Sequence, residues 1–182
     1  MLKMQQKETH SLEDRVTELE RSHYLYKQYG RRESVEITGI PTEVDDKNLE
    51  EEVIKIYNEA NVDVDGSGLT KKDISACHRI GKRGNTIVRF VNRKFASGGL
   101  FKGKNLKGTQ LYNGTPVYIN NSFCPEFQKY GYIIRNLKRQ SLREGYKIKH
   151  GIYQIKLGTS VKFEEISHIK DFAKFGLDVS GY

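Results

Sequence analysis

The 182 residues, 36% apolar and 30% charged with no tryptophan, leave room for one or two small domains with a core and none for a large enzyme. The opening MLKMQQKETH lacks signal-peptide character, and no apolar run approaches the roughly 18 residues of a membrane span. The net charge of +8 is unevenly laid out: residues 31–68 hold 11 acids against four Lys and Arg, whereas residues 69–150 hold 18 Lys and Arg against three acids. Ordinary surface mixes its signs, so this segregation predicts a polyanion partner.

Residues 1–28 read as one helix, with no Gly or Pro before Gly30. Leu2, Gln5, Thr9, Leu12, Val16, Leu19, His23 and Tyr26 recur in steps of three and four, the spacing of a coiled-coil seam. At its centre, Arg15-Val16-Thr17-Glu18-Leu19-Glu20 sets Arg before one apolar seam position and Glu after the next. Such an arrangement lets Arg and Glu bridge neighbouring helices, and it is similar to a trimer-favouring pattern. The competing expectation is a single amphipathic helix packed on its own domain.

From residue 33 the periodicity changes. Ser34–Ile40 alternates like a half-buried strand, and Pro41 stops it. Asp45 or Asp46 can cap a helix through Ala60 that carries Leu49, Val53, Ile54 and Tyr57 on one face. Residues 73–80 read as a second strand, Gly81–Gly84 as a turn and Asn85–Val91 as a third strand. A helix over Arg93–Phe101 is weakened by Gly98-Gly99, and Thr115–Asn120 supplies a fourth strand. The order βαββαβ predicts one antiparallel sheet with two helices on one face.

After Cys124-Pro125 a second unit begins. Residues 126–144 predict a helix with Phe127, Tyr130, Ile134 and Leu137 on one side and Tyr132, Arg135, Arg139 and Arg143 on the other. A hairpin around Gly151, a short strand near Val161–Phe163 and a last helix over Ser167–Phe175 follow.

Catalytic signals are weak. Gly98-Gly-Leu-Phe-Lys-Gly-Lys104-Asn105 misses the phosphate-loop pattern GxxxxGK(S/T) at its hydroxyl and follows a helix instead of a strand. The five histidines are scattered without metal spacing, and Cys77 and Cys124 read as small core residues of an intracellular protein. No enzyme and no cofactor are expected.

The third strand, Arg83-Gly84-Asn85-Thr86-Ile87-Val88-Arg89-Phe90, resembles the sheet octamer of an RNA-recognition motif in its basic residue, its Gly, its Val and its last aromatic. Alternation sends Val88 and Phe90 to the core and Arg83, Asn85, Ile87 and Arg89 to the open face. The positions that stack on bases in that motif are Asn85 and Ile87 here, with Glu36 on the first strand, so a stacking platform is missing.

A seam running into Tyr29-Gly-Arg-Arg-Glu-Ser-Val-Glu-Ile-Thr-Gly-Ile-Pro41, followed by Ala76-Cys-His-Arg-Ile-Gly81, Ile87-Val-Arg-Phe90 and Asn120-Asn-Ser-Phe-Cys-Pro125, resembles the first-open-reading-frame protein of LINE-type non-LTR retrotransposons. The likeness covers residues 10–175. It implies a homotrimer, a divergent RNA-recognition motif and a C-terminal domain closing a basic cleft. It also implies an RNA-coating, nucleic-acid-chaperone role beside the element's reverse transcriptase, in a cytoplasmic or nuclear ribonucleoprotein.

The expected fold class is thus α+β: a coiled-coil helix over 1–30, an RRM-like split β-α-β sandwich over 31–123 and a small α+β C-terminal domain over 124–182. The expected partners are single-stranded RNA or DNA and further copies of the chain, without a membrane. Expected nucleic-acid contacts are Arg79, Lys82, Arg83, Arg89, Arg93, Lys94, Lys104, Arg135, Lys138, Arg139 and Arg143. Expected oligomer contacts are Leu12, Arg15, Val16, Leu19 and Glu20. The alternative is an oligomeric adaptor that binds acidic protein partners.

Overall fold

Two periodicities, 3.6 in the first thirty residues and 2 in the strands after them, become a mixed α+β fold. In the computed structural model it comprises a long N-terminal helix, a four-stranded antiparallel sheet and a smaller three-stranded sheet. Described are residues 2–81, 84–109, 111–139, 145–156 and 162–179, without the side chains of 2, 3, 138 and 139. Contacts divide the chain into two units. One spans residues 31–122; the other joins residues 1–30 to 123–182.

In the first unit the sheet runs in the order β4 (Ile74–Ile80), β5 (Asn85–Phe90), β1 (Ser34–Thr38), β6 (Tyr118–Asn121). Val35, Ile37, Val88 and Phe90 send their side chains to one face, where they are fully buried under α2 (Leu49–Glu59) and α3 (Arg93–Lys102). Asp45 accepts a hydrogen bond from the Lys47 amide and starts a 3₁₀ turn, Asp46–Asn48, that leads into α2. The helix thus begins later than its acids suggest, and Ile56 joins Leu49, Val53 and Tyr57 in the core while Ile54 is only partly buried. A two-stranded ribbon, β2 (Asp63–Val64) with β3 (Ser67–Gly68), was not legible because each strand is two residues long.

Gly98 and Gly99 do not weaken α3; they let it approach α2. A Cβ built on Gly99 would sit 2.3 Å from the Tyr57 hydroxyl, and one on Gly98 would sit 2.9 Å from Val62. The Tyr57 hydroxyl is buried with no hydrogen-bond partner among the described residues, and burial alone pushes its pKa up.

The second unit is built on α4 (Pro125–Arg139), whose Phe127, Tyr130, Ile133, Ile134 and Leu137 are buried. They meet a sheet ordered β7 (Gly145–Lys149), β8 (Ile152–Lys156), β9 (Glu164–Ile166). His150 and Gly151, both at positive φ, form the two-residue turn of the β7–β8 hairpin. The last strand lies three residues beyond its expected place, because Ile166 is the residue that reaches the core. The final helix, Ile169–Phe175, is 3₁₀ rather than α.

The sequence reading set residues 1–30 apart from 124–182. The helix α1 (Leu2–Tyr29) instead packs its Thr17, Arg21, Tyr24 and Gln28 side on the C-terminal segment. The Arg21 guanidinium forks onto the Asp171 carboxylate at 2.7 and 2.8 Å and also donates to the Ser167 hydroxyl. Asp171, fully buried, further accepts from the amides of Ser167 and His168, both at 2.9 Å. The Tyr24 and His168 rings stack, Lys27 pairs with Glu126, and the Gln28 carboxamide accepts from the Cys124 amide.

Two predictions test this packing. Gly-to-Ala within a helix ordinarily stabilises by about 1 kcal/mol; Gly99→Ala should instead lower stability in urea unfolding by about 1–3 kcal/mol, from overpacking against Tyr57. Tyr57→Phe, which removes an unpaired hydroxyl, should leave stability unchanged or higher. Asp171 titrates abnormally: burial would raise its pKa, but Arg21, the Ser167 and His168 amides and Lys174 outweigh that and hold it well below the carboxylate range. A depressed carboxylate pKa contributes stability that is present above the unfolded value of about 4 and is lost as pH falls below it. Thermal melts from pH 7 down to pH 3 should therefore show an acid limb that Asp171→Asn flattens, at a cost near pH 7 of about 3 kcal/mol. An acid limb unchanged in the variant would assign it to other carboxylates.

Candidate nucleic-acid interface

The register of the four-stranded sheet decides which residues can meet a ligand. Residues directly opposite in an antiparallel pair project from the same face. Opposite Val88 is Cys77 and opposite Thr86 is Arg79, so Arg79 lies on the helix-covered side. Its Nη2 donates to the carbonyls of Pro41 at 2.7 Å and Val44 at 3.0 Å, its Nη1 to that of Gly84 at 3.0 Å, and its Nε lies 3.3 Å from Asp46. Arg79, expected as a ligand contact, thus has its donors engaged within the fold. Its side chain is only 16% exposed and its donors close the loops at that end of the sheet.

The open face carries Ala76, His78 and Ile80 from β4 and Asn85, Ile87 and Arg89 from β5. Ser34, Glu36 and Thr38 from β1 and Tyr118 and Asn120 from β6 complete it. Arg89 is exposed and lies 3.3 Å from the half-buried Glu33. Asn85 donates to Glu36 at 2.6 Å. Tyr118, missed by the sequence reading, presents an exposed ring; the parity of β6 against β1 was the signal that would have found it.

Around α3 the cations are exposed. Arg93 meets no acid among the described residues, Lys94 forms a surface pair with Asp65 at 2.7 Å, and Lys104 lies over the exposed Phe101 ring at 4.7 Å. Such surface pairs contribute about 0–1 kcal/mol, so a phosphate can displace the carboxylate at little cost.

In the second unit Arg135 is exposed on α4 and hydrogen-bonds to Tyr153. Lys82, Arg83 and Arg143 lie outside the described residues, as do the side chains of Lys138 and Arg139. A group the sequence reading missed stands on the β7–β8 hairpin. Lys147 and Lys149 alternate along β7, and Lys156 faces Gly145 across the pair, so all three share the side opposite Tyr146 and Tyr153. Lys147 lies over the Phe163 ring at 4.3 Å. The two-residue His150-Gly151 turn fixes that register, so the cluster was deducible once the hairpin was drawn.

At the centre of the α1 seam Leu12 and Val16 are each 53% exposed and Leu19 is 70% exposed. Arg15 is exposed beside them. Glu20, the acid of the trimer-favouring pattern, turns the other way and meets His168 Nε2 at 3.1 Å.

Reactive groups are quiet. Burial pushes the Cys77 thiol up to about 12 and raises that of Cys124, so neither is a thiolate at neutral pH. Among the described residues no His, Cys, Asp or Glu group could hold a metal ion, and no helix is long and apolar enough to cross a membrane.

Arg79→Ala should lower unfolding stability by about 2 kcal/mol, since it strands three carbonyls, and Arg79→Lys should not restore it. Arg89→Ala should change stability by less than about 0.5 kcal/mol. A fully stable Arg79→Ala protein with weakened ligand binding would return Arg79 to the interface. Compared with protein-family models and with curated proteins, the chain matches none.

Proposed function

We propose that the chain is a non-enzymatic single-stranded nucleic-acid-binding protein that coats RNA as a homo-oligomer. It would act as the first-open-reading-frame protein of a LINE-type retrotransposon acts in its ribonucleoprotein. The observation that carries this reading is the sorting of charge: residues 69–150 hold 18 Lys and Arg against three acids. Arg93, Lys104, Arg135, Lys147 and Lys149 of that stretch stand exposed in the fold.

Supporting it are the strand order β4-β5-β1-β6 with two helices on one face, which we read as an RNA-recognition-motif topology, and the exposed centre of the α1 seam. A second copy of α1 packed along Leu12, Val16 and Leu19 would bury that seam without disturbing the opposite, docked face.

The mechanism is electrostatic. Each Lys or Arg that neutralises a phosphate releases a counterion, so affinity falls steeply with salt and depends weakly on sequence. Oligomerisation multiplies it, because a second subunit meets the same strand at high effective concentration.

Fluorescence anisotropy of a labelled single-stranded RNA across a salt series, with light scattering on the same sample, tests the reading. Tight binding by a particle of three chains supports it. Replacing Lys147, Lys149 and Lys156 together by Ala should reduce the slope of log affinity against log salt by about two, at about 0.7 per lost single-strand phosphate contact. An unchanged slope removes the hairpin from the interface. No binding at low salt favours the adaptor with acidic protein partners.

A further inference from the structure

We infer that Glu36, held by Asn85 at the middle of the open sheet face, reads the Watson–Crick edge of a guanine base. The inference deepens the nucleic-acid reading above and rests on it. Glu36 is the middle residue of β1, a central strand, with Ile87 opposite on one side and Asn120 on the other. Its neighbours Val35 and Ile37 are fully buried, so its side chain projects from the open face.

A carboxylate in this place is unexpected for a surface that takes phosphates. It repels them, so the polyanionic backbone must run along the rim, past Arg89 and the cations of α3, and not across the centre. What a central carboxylate attracts is a hydrogen-bond donor. Ionised, it accepts at two oxygens with about four lone-pair directions. The Asn85 amide occupies Oε1 at 2.6 Å and fixes the orientation of the group, and no cation reaches Glu36 among the described residues.

Of the four RNA bases only guanine offers two parallel donors on its Watson–Crick edge, N1–H and the N2 amino group, at the spacing of the two carboxylate oxygens. Adenine and cytosine offer one amino group and uracil one imino N–H. Single-stranded bases are read on this edge once unstacked, and they need a flat neighbour to rest on. Tyr118, opposite Thr38 and exposed on the same face, provides a ring one diagonal step from Glu36, and the half-buried Ile87 provides an apolar floor. Aromatic stacking there is indifferent to base identity, so discrimination falls to the carboxylate.

The test compares three labelled RNA decamers at one salt concentration by anisotropy: all uridine, uridine with one central guanosine, and uridine with one central inosine, which lacks the N2 amino group. The unsubstituted chain should bind the guanosine decamer at least about fivefold more tightly than the all-uridine one, the discrimination of one bidentate pair. Inosine should fall between. In Glu36→Gln, checked for unchanged circular dichroism, the guanosine preference should fall below about twofold while all-uridine affinity is kept or raised. Equal affinities in the unsubstituted chain, or a guanosine preference that survives in Glu36→Gln, overturn the inference and leave the nucleic-acid reading intact. No binding of any decamer at low salt overturns both.

Discussion

The buried carboxylate of Asp171 constrains the unit formed by the N-terminal helix and the C-terminal segment. A charge with no exposed surface must be matched donor by donor, and the Ser167 and His168 amides match only part of it. The remainder comes from Lys174 at 3.2 Å and from the fork of Arg21, which sets the rotational phase of α1 with its Thr17, Arg21, Tyr24 and Gln28 side inward. By the 3.6-residue turn, Leu12, Val16 and Leu19 then fall on the opposite side and stay in water. The two expectations raised by the sequence, a coiled-coil seam and a helix packed on its own domain, are therefore compatible. They use opposite sides of one helix.

A comparable economy of faces governs the four-stranded sheet. Its side-chain period of two makes parity decisive: Arg79 and Arg89 sit on neighbouring strands, yet pairing puts Arg79 with Thr86 under the helices and Arg89 with Ser34 and Ala76 in the open. The half-buried arginine ties together Pro41, Val44 and Gly84, three carbonyls of segments that border the sheet. Its charge thus serves the fold, whereas that of Arg89 stays accessible.

The legible parts of the molecule were those with long, regular patterns. The heptads of α1 gave its element type, and the alternation of β1 and β5 and the apolar stripe of α4 gave both element type and inward face from the residues alone. What escaped depended on partners distant in sequence. Arg21 and Asp171 are 150 positions apart, and neither is unusual in its own neighbourhood. Glycine's helix-weakening propensity argued against α3 at Gly98-Gly99, and only the nearness of Tyr57 and Val62 gives those glycines their use. Within the candidate interface, the arginines were visible as charge, but which were spent internally required register. The lysines of β7 and β8 were overlooked because their grouping arises from the pairing of two strands.

Charge and parity together separate two tasks that a nucleic-acid binder must perform. Phosphate binding needs many cations, tolerates their mobility and would be served by exposed groups such as Arg93, Lys147 and Lys149. Base reading needs few groups, held still and screened from competing backbone. On the proposed reading Glu36 would meet that demand, because its sign would keep phosphates away and Asn85 limits its motion. A cation at the same position would strengthen coating and read nothing, since every nucleotide carries the same phosphate. On the proposed reading, a negative charge at the centre of the open face would weaken affinity slightly and make selectivity attainable.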